Sequence, residues 1–177
     1  MKTLEAFLFA LSMMESDGNY QAVNTLNFLG AYQFGEAALT DLRFVNFDGN
    51  AFDNDYSGGW TGKYGVRSAP DFLASAQAQD LAAREWVELM WHYIELQNID
   101  AYSWQEVGGI SLTPSAMLAA VHLLGPDALA EFVRSGGTAD LRDPYGTPIT
   151  QYMLRLADYE IPFAPSAPTA LASSSGS

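Results

Sequence analysis

The sequence predicts a mainly helical domain, and three observations carry that expectation. Leu4, Phe7, Leu8, Leu11 and Met14 recur at helical spacing, and so do Ala83, Val87, Met90, Trp91 and Ile94 further along. Thr113-Pro114 is a strong helix start, an N-cap side chain followed by proline at the first helical position. A chain of 177 residues can bury a real core without disulfide or metal support. With 49% hydrophobic and 13% aromatic residues, it has enough apolar surface to fill that core and still line a groove.

Taken in order, the first stripe predicts a helix from about Thr3 to Met14, stopped by Asp17-Gly18-Asn19. From Asn24 to Tyr32 polar and apolar residues mix without a period, which suggests a short hairpin or an ordered loop. Gly35 to Leu42 reads as a short helix, and the Gly-, Asn- and Asp-rich stretch from Phe44 to Lys63 as loop. Ser68-Ala69-Pro70-Asp71 opens a long helix that ends near Asn98 and is expected to be the central core helix. After Thr113-Pro114, the residues Met117, Leu118, Val121 and Leu124 continue a buried face until Gly125-Pro126 breaks it. A short helix from Asp127 to Arg134 should close at Gly136-Gly137, and a last one should run from Thr150 to Ala157. The domain is thus expected to span 1–161. The Pro-, Ala- and Ser-rich stretch 162–177 reads as a linker or disordered tail of the kind that joins further domains.

Composition removes several functions. A formal net charge of −13 repels nucleic acid, and no basic amphipathic face is present to dock on an anionic membrane. No apolar stretch is long enough to insert into a bilayer. Without cysteine there is no thiol nucleophile and no thiolate zinc site; His92 and His122, thirty positions apart, do not make a histidine metal site. Neither a glycine-rich phosphate loop nor a serine nucleophile elbow occurs, and no cofactor is expected. Asp53 and Asp55 suggest a calcium loop, but neither the glycine placement nor the terminal glutamate of the known twelve-residue loop is expected to follow, so both are expected to be solvated turn residues. Lys2 before the apolar run Ala6 to Leu11 imitates a secretory signal. Glu5 interrupts it, no small-residue cleavage site follows, and the spacing is that of an amphipathic helix, so no signal peptide is expected.

Glu15 follows Leu11 where the first buried stripe runs out of helix, so its carboxyl group is expected at the edge of a cleft, partly removed from water. Such surroundings favour the neutral acid, the form that can protonate a leaving glycosidic oxygen. No aspartate stands close behind it as a second carboxylate, and the next acidic residue with a possible part is Glu36.

Glu15-Ser16-Asp17-Gly18-Asn19-Tyr20, followed by Gly30-Ala31-Tyr32-Gln33-Phe34-Gly35, resembles the lytic transglycosylase and goose-type lysozyme group of the lysozyme-like superfamily. There a glutamate-serine pair ends the first long helix and a Gly-x-x-Gln segment forms the groove floor. Leu118 to Pro126 resembles the family's Ala-Ala-Tyr-Asn-Ala-Gly-Pro segment, with Val121-His122 in place of Tyr-Asn, and Tyr152 resembles the tyrosine that closes the site. The resemblance implies a lysozyme-like helical domain, with a central long helix and a small hairpin or loop lobe forming a groove for peptidoglycan glycan strands. Glu15 would be the acid, Ser16 would orient it or the sugar, and Gln33, beside Gly30, would bind an N-acetyl group. Tyr20 and Tyr32 would supply stacking faces or hydroxyls.

Trp60 either stacks on a sugar or pins its loop, His122 is either a core histidine or a groove residue, and His92 is expected to be structural. The activity implied is that of a lytic transglycosylase, cutting the MurNAc-GlcNAc β-1,4 bond with one glutamate as acid and then base and leaving 1,6-anhydro ends. A hydrolytic muramidase, a chitinase-like glycosidase of the same fold, or a noncatalytic glycan-binding module stand as alternatives. Action would be at the cell wall or in the periplasm, reached by a signal-independent route or by phage-mediated release.

Overall fold

Phe7, Leu8 and Leu11 are buried along one side of helix α1 (Leu4–Ser16), as their spacing requires, in a computed structural model that describes residues 1–168. The helix runs past Met14 and takes in both Glu15 and Ser16. Asp17 (φ +56°) and Gly18 (φ +72°) then turn the chain through two successive left-handed residues. The architecture is mainly α, with seven α-helices and one two-stranded sheet among the described residues. The chain divides into two compact units, Glu5–His92 and Met1–Leu4 together with the chain from Tyr93 onward.

In the unit Glu5–His92, single β-bridges link Val23 to Leu29 and Leu29 to Phe34, the short hairpin expected near Asn24 to Tyr32. Helix α2 (Glu36–Asp41) is flanked by Gly35 and Leu42, and the following loop is crossed once, by a bridge between Val45 and Trp60. Ser68 caps helix α3 (Ala69–Ala74), its side chain accepting from the Asp71 amide. The long helix predicted from this point is broken. Ser75 takes an extended conformation (φ −111°, ψ 90°), its hydroxyl oxygen accepts from the Ala78 amide, and helix α4 (Ala76–Leu96) starts afresh. The serine side chain offers the backbone a second N-cap, and that competes with continuing the helix. On α4 the predicted stripe Ala83, Val87, Met90, Trp91 and Ile94 is buried. His92 lies on the exposed side of that helix. Phe72 centres an aromatic cluster with Phe34, Phe44 and Trp60, at centroid distances of 6.2, 5.5 and 5.8 Å.

In the other unit the most enclosed element is helix α5 (Pro114–Leu124), buried at every position from Pro114 to Val121. Thr113 Oγ1 caps it by accepting from the Ala116 amide at 3.1 Å. Helices α6 (Pro126–Arg134) and α7 (Ile149–Arg155) both pack on α5, with a bend of 119° between α5 and α6 at Gly125. Core duty is therefore divided between α4 and α5, where the sequence suggested one central helix. No single helix among the described residues is long and apolar enough to cross a membrane.

A hairpin that the period-based reading missed precedes α5: β1 (Glu106–Val107) pairs antiparallel with β2 (Ile110–Ser111) around Gly108-Gly109. Both glycines have positive φ, 58° and 78°, as a tight two-residue turn demands. Just past residue 161, the Trp104 indole donates to the Pro165 carbonyl at 2.9 Å. The rest of that tail, 169–177, lies outside the described residues.

Candidate active site and an acidic cluster

Glu15 occupies the last turn of α1. The residue is half-buried, and its Oε1 oxygen is closed off from solvent. The next residue anchors this helix end. Ser16 Oγ donates to the Ala31 carbonyl at 2.9 Å and accepts from the Asn19 amide at 3.0 Å, tying the helix, the turn after it and the hairpin loop together.

That loop is Gly30-Ala31-Tyr32-Gln33, closed by paired backbone bonds of 2.9 Å between Leu29 and Phe34. Gly30 has φ +79°, and a Cβ there would come within 2.1 Å of Gln79 Oε1. Gln33 also adopts a left-handed conformation (φ +51°), and its Nε2 donates to the Gly30 carbonyl at 2.9 Å. A non-glycine residue in this region is uncommon and is held by its surroundings. Its amide nitrogen thus serves the turn, and its Oε1 makes no hydrogen bond among the described residues.

Gln79 on α4 is the bracket that sequence reasoning missed. Wholly buried, it accepts from the Ala31 amide at 2.8 Å and donates to the carbonyls of Phe72 (2.8 Å) and Tyr20 (2.9 Å). One side-chain amide with its oxygen and nitrogen both committed therefore joins α3, the segment after α1 and the hairpin loop.

Asp80, next along α4, takes both tyrosine hydroxyls on the same oxygen, Tyr20 at 2.9 Å and Tyr32 at 2.8 Å. Burial, followed by the Asp80 carboxylate, pushes both phenols above their ordinary value. Tyr32 is only 4% exposed and packs against Phe34, so it offers no stacking face; its hydroxyl belongs to the Asp80 pair. Tyr20 keeps part of its ring at the surface. Trp60 lies between Tyr56 and Phe72, both at 5.8 Å, the position of a residue that pins its loop.

The structure thus gathers Glu15, Ser16, Tyr20, Gly30, Tyr32 and Gln33 about the junction of α1 with the hairpin loop. His122 and Tyr152 belong to the other unit: His122 is half-buried in the last turn of α5, and Tyr152, 6% exposed, is on α7.

A second cluster lies in the loop after α2. Asp53 and Asp55 are exposed turn residues, as expected, and Asp53 Oδ1 and Asp55 Oδ1 accept from the amides two positions on. They are more than that, because one carboxylate oxygen from each of Glu36, Asp48, Asp53 and Asp55 lies within 4.8 Å of the others. Glu36 is fully buried, with Oε2 accepting from the Tyr56 amide at 2.9 Å. Asn54 fastens the loop to α2, its Oδ1 accepting from the Glu36 amide at 2.8 Å. The glycine placement corrects the sequence expectation, because Gly58 stands at the sixth place counted from Asp53, where the known calcium loop has its glycine. Glu36, considered as a second carboxylate for Glu15, faces this loop instead.

Compared with family models, with curated proteins and with solved structures, the chain has no match in any of the three.

Proposed function

We propose that the protein is a peptidoglycan-cleaving lytic transglycosylase with a lysozyme-like fold, acting on the MurNAc-GlcNAc β-1,4 bond through Glu15. The single observation that supports this reading most is the bond from Ser16 Oγ to the Ala31 carbonyl. It couples the half-buried acid at the end of α1 to the Gly30–Gln33 turn, the two segments that carry the motif resemblance.

In this reading the Glu15 carboxyl gives its proton to the bridging oxygen as the bond from C1 of the muramic acid breaks. The carbonyl oxygen of the substrate's own N-acetyl group adds to C1 and takes up the positive charge, so no second carboxylate is needed. Glu15, now a carboxylate, removes the proton of the C6 hydroxyl while O6 attacks C1 and displaces the amide oxygen. The product is a 1,6-anhydro end, no water is consumed, and Glu15 regains its proton. Gln33 Oε1 is suited to accept from an N-acetyl N–H, because its Nε2 is already fixed to Gly30.

The test is digestion of purified sacculi, with the released muropeptides identified by mass spectrometry. Anhydro-muramyl ends are expected from the wild type, and Glu15→Gln should slow their release by about 10²-fold or more. Reducing muramic acid ends would make the enzyme a hydrolytic muramidase. Binding to sacculi with no release by either protein would make it a glycan-binding module. Either result overturns the transglycosylase reading.

A further inference from the structure

Glu36 opens α2 with no exposed surface, and its Oε1 oxygen is buried without a hydrogen-bond partner. A buried carboxylate oxygen left in that state bears its full desolvation penalty unless another group compensates it. No lysine or arginine pairs with Glu36, Asp48, Asp53 or Asp55 among the described residues. What faces Glu36 is instead three more carboxylates, all within 4.8 Å. Three exposed aspartates gathered about a buried carboxyl group that has one oxygen unpartnered describe a cage in need of positive charge.

We infer that Glu36, Asp48, Asp53 and Asp55 form a calcium-binding site. Oxygen ligands at 2.3–2.6 Å from an ion lie up to about 5 Å apart across it, and the 4.8 Å spread of these oxygens falls within that span. A donor set made only of carboxylates selects a hard cation over zinc or copper, and an irregular loop cage suits calcium better than magnesium, which keeps most of its water.

The local sequence agrees. Asp53, Asp55, Ser57 and Gly58 take the first, third, fifth and sixth places of the twelve-residue calcium loop. The glutamate of the twelfth place is missing, since Tyr64 stands there, and the buried carboxylate arrives from Glu36 on α2 instead. Gly58 cannot be replaced cheaply, because a Cβ there would meet the Asn46 carbonyl at 1.9 Å. Ser57 Oγ donates to Asp48 Oδ2 at 2.6 Å and Asn50 Nδ2 to Asp53 Oδ2 at 3.0 Å, which steadies two of the four ligands. The site rests on no step of the glycan chemistry and stands or falls by itself.

The test uses the full chain, stripped with chelator and dialysed, then titrated with calcium chloride by calorimetry and followed by thermal unfolding. A single saturable site with Kd on the order of 10⁻⁵ M is expected, with a rise in Tm, and magnesium should bind at least about tenfold more weakly. Glu36→Gln and Asp55→Asn should each weaken calcium binding by about tenfold or more. Should the buried Glu36→Gln variant fail to fold, Asp55→Asn, at an exposed position, decides the matter. No saturable binding below about 1 mM calcium would overturn the inference. So would an equal response to magnesium, or variants that bind as the wild type does, since either would reduce the effect to diffuse attraction by the net charge of −13.

Discussion

Ser16 and Ala31 are joined by a hydrogen bond of 2.9 Å that crosses from the end of α1 to the hairpin loop. The same hydroxyl oxygen receives the Asn19 amide at 3.0 Å, so one small side chain sets both the exit of the helix and the approach of the loop. Ser16→Ala removes both bonds and leaves a carbonyl and an amide to find water. Stability should fall by about 1–3 kcal/mol in urea denaturation. Unchanged denaturation would mean that other contacts hold the two segments.

Gly30→Ala tests the bracket around Gln79. The new Cβ would meet Gln79 Oε1 at 2.1 Å, and the backbone at φ +79° disfavours any side chain. Displacing Gln79 also releases the amide of Ala31. A loss of about 2–4 kcal/mol is expected, read as a lower Tm.

Tyr32 supplies the pH dependence. Its folded-state pKa lies above the ordinary 10.0, from burial first and the Asp80 carboxylate second. Above pH 10 the unfolded chain therefore releases a proton that the folded chain keeps, and stability falls as pH rises. Tyr32→Phe should flatten that alkaline decline. Below pH 10 the variant should instead lose about 1 kcal/mol, the worth of the hydrogen bond to Asp80. Denaturant titrations at neutral and alkaline pH separate the two effects, and parallel curves for the two proteins above pH 10 would refute the assignment.

In the other unit, Gly108 and Gly137 approach backbone to backbone. A Cβ on Gly137 would stand 2.6 Å from the Gly108 Cα, at a position whose φ is +81°. Gly137→Ala should cost about 2–4 kcal/mol. Alanine at Gly136, whose φ is +65° but whose Cβ would meet nothing within 4 Å, should cost less. Thermal unfolding of the two variants side by side checks the ranking.

Helices were legible wherever one local pattern dominated. The α1 stripe, the Thr113 cap and the short helix after Gly35 all follow from neighbours a few residues apart. Ser75 was not legible as a break, because its effect depends on a side chain choosing the Ala78 amide over solvent. The Gly108-Gly109 hairpin was missed because strands of two residues show no period.

The site was legible in its first motif and opaque in its supports. Ser16 and Gly30 could be named only from the motif resemblance. Gln79 and Asp80 could not, since each acts on residues nearly fifty to sixty positions away. Glu36 was noticed as an acid, but its burial against Tyr56 and the aspartates depends on the fold of a loop that composition marks only as irregular.

Lys2 forms a parallel bridge with Tyr159, its amide donating to Asp158 and its carbonyl accepting from the Glu160 amide at 2.7 Å. The segment Glu5–His92 is one continuous stretch of sequence. The opening residues must wait, unpaired, until the region around Glu160 leaves the ribosome. The bridge between Lys2 and Tyr159, so distant in sequence, is therefore among the last contacts to close.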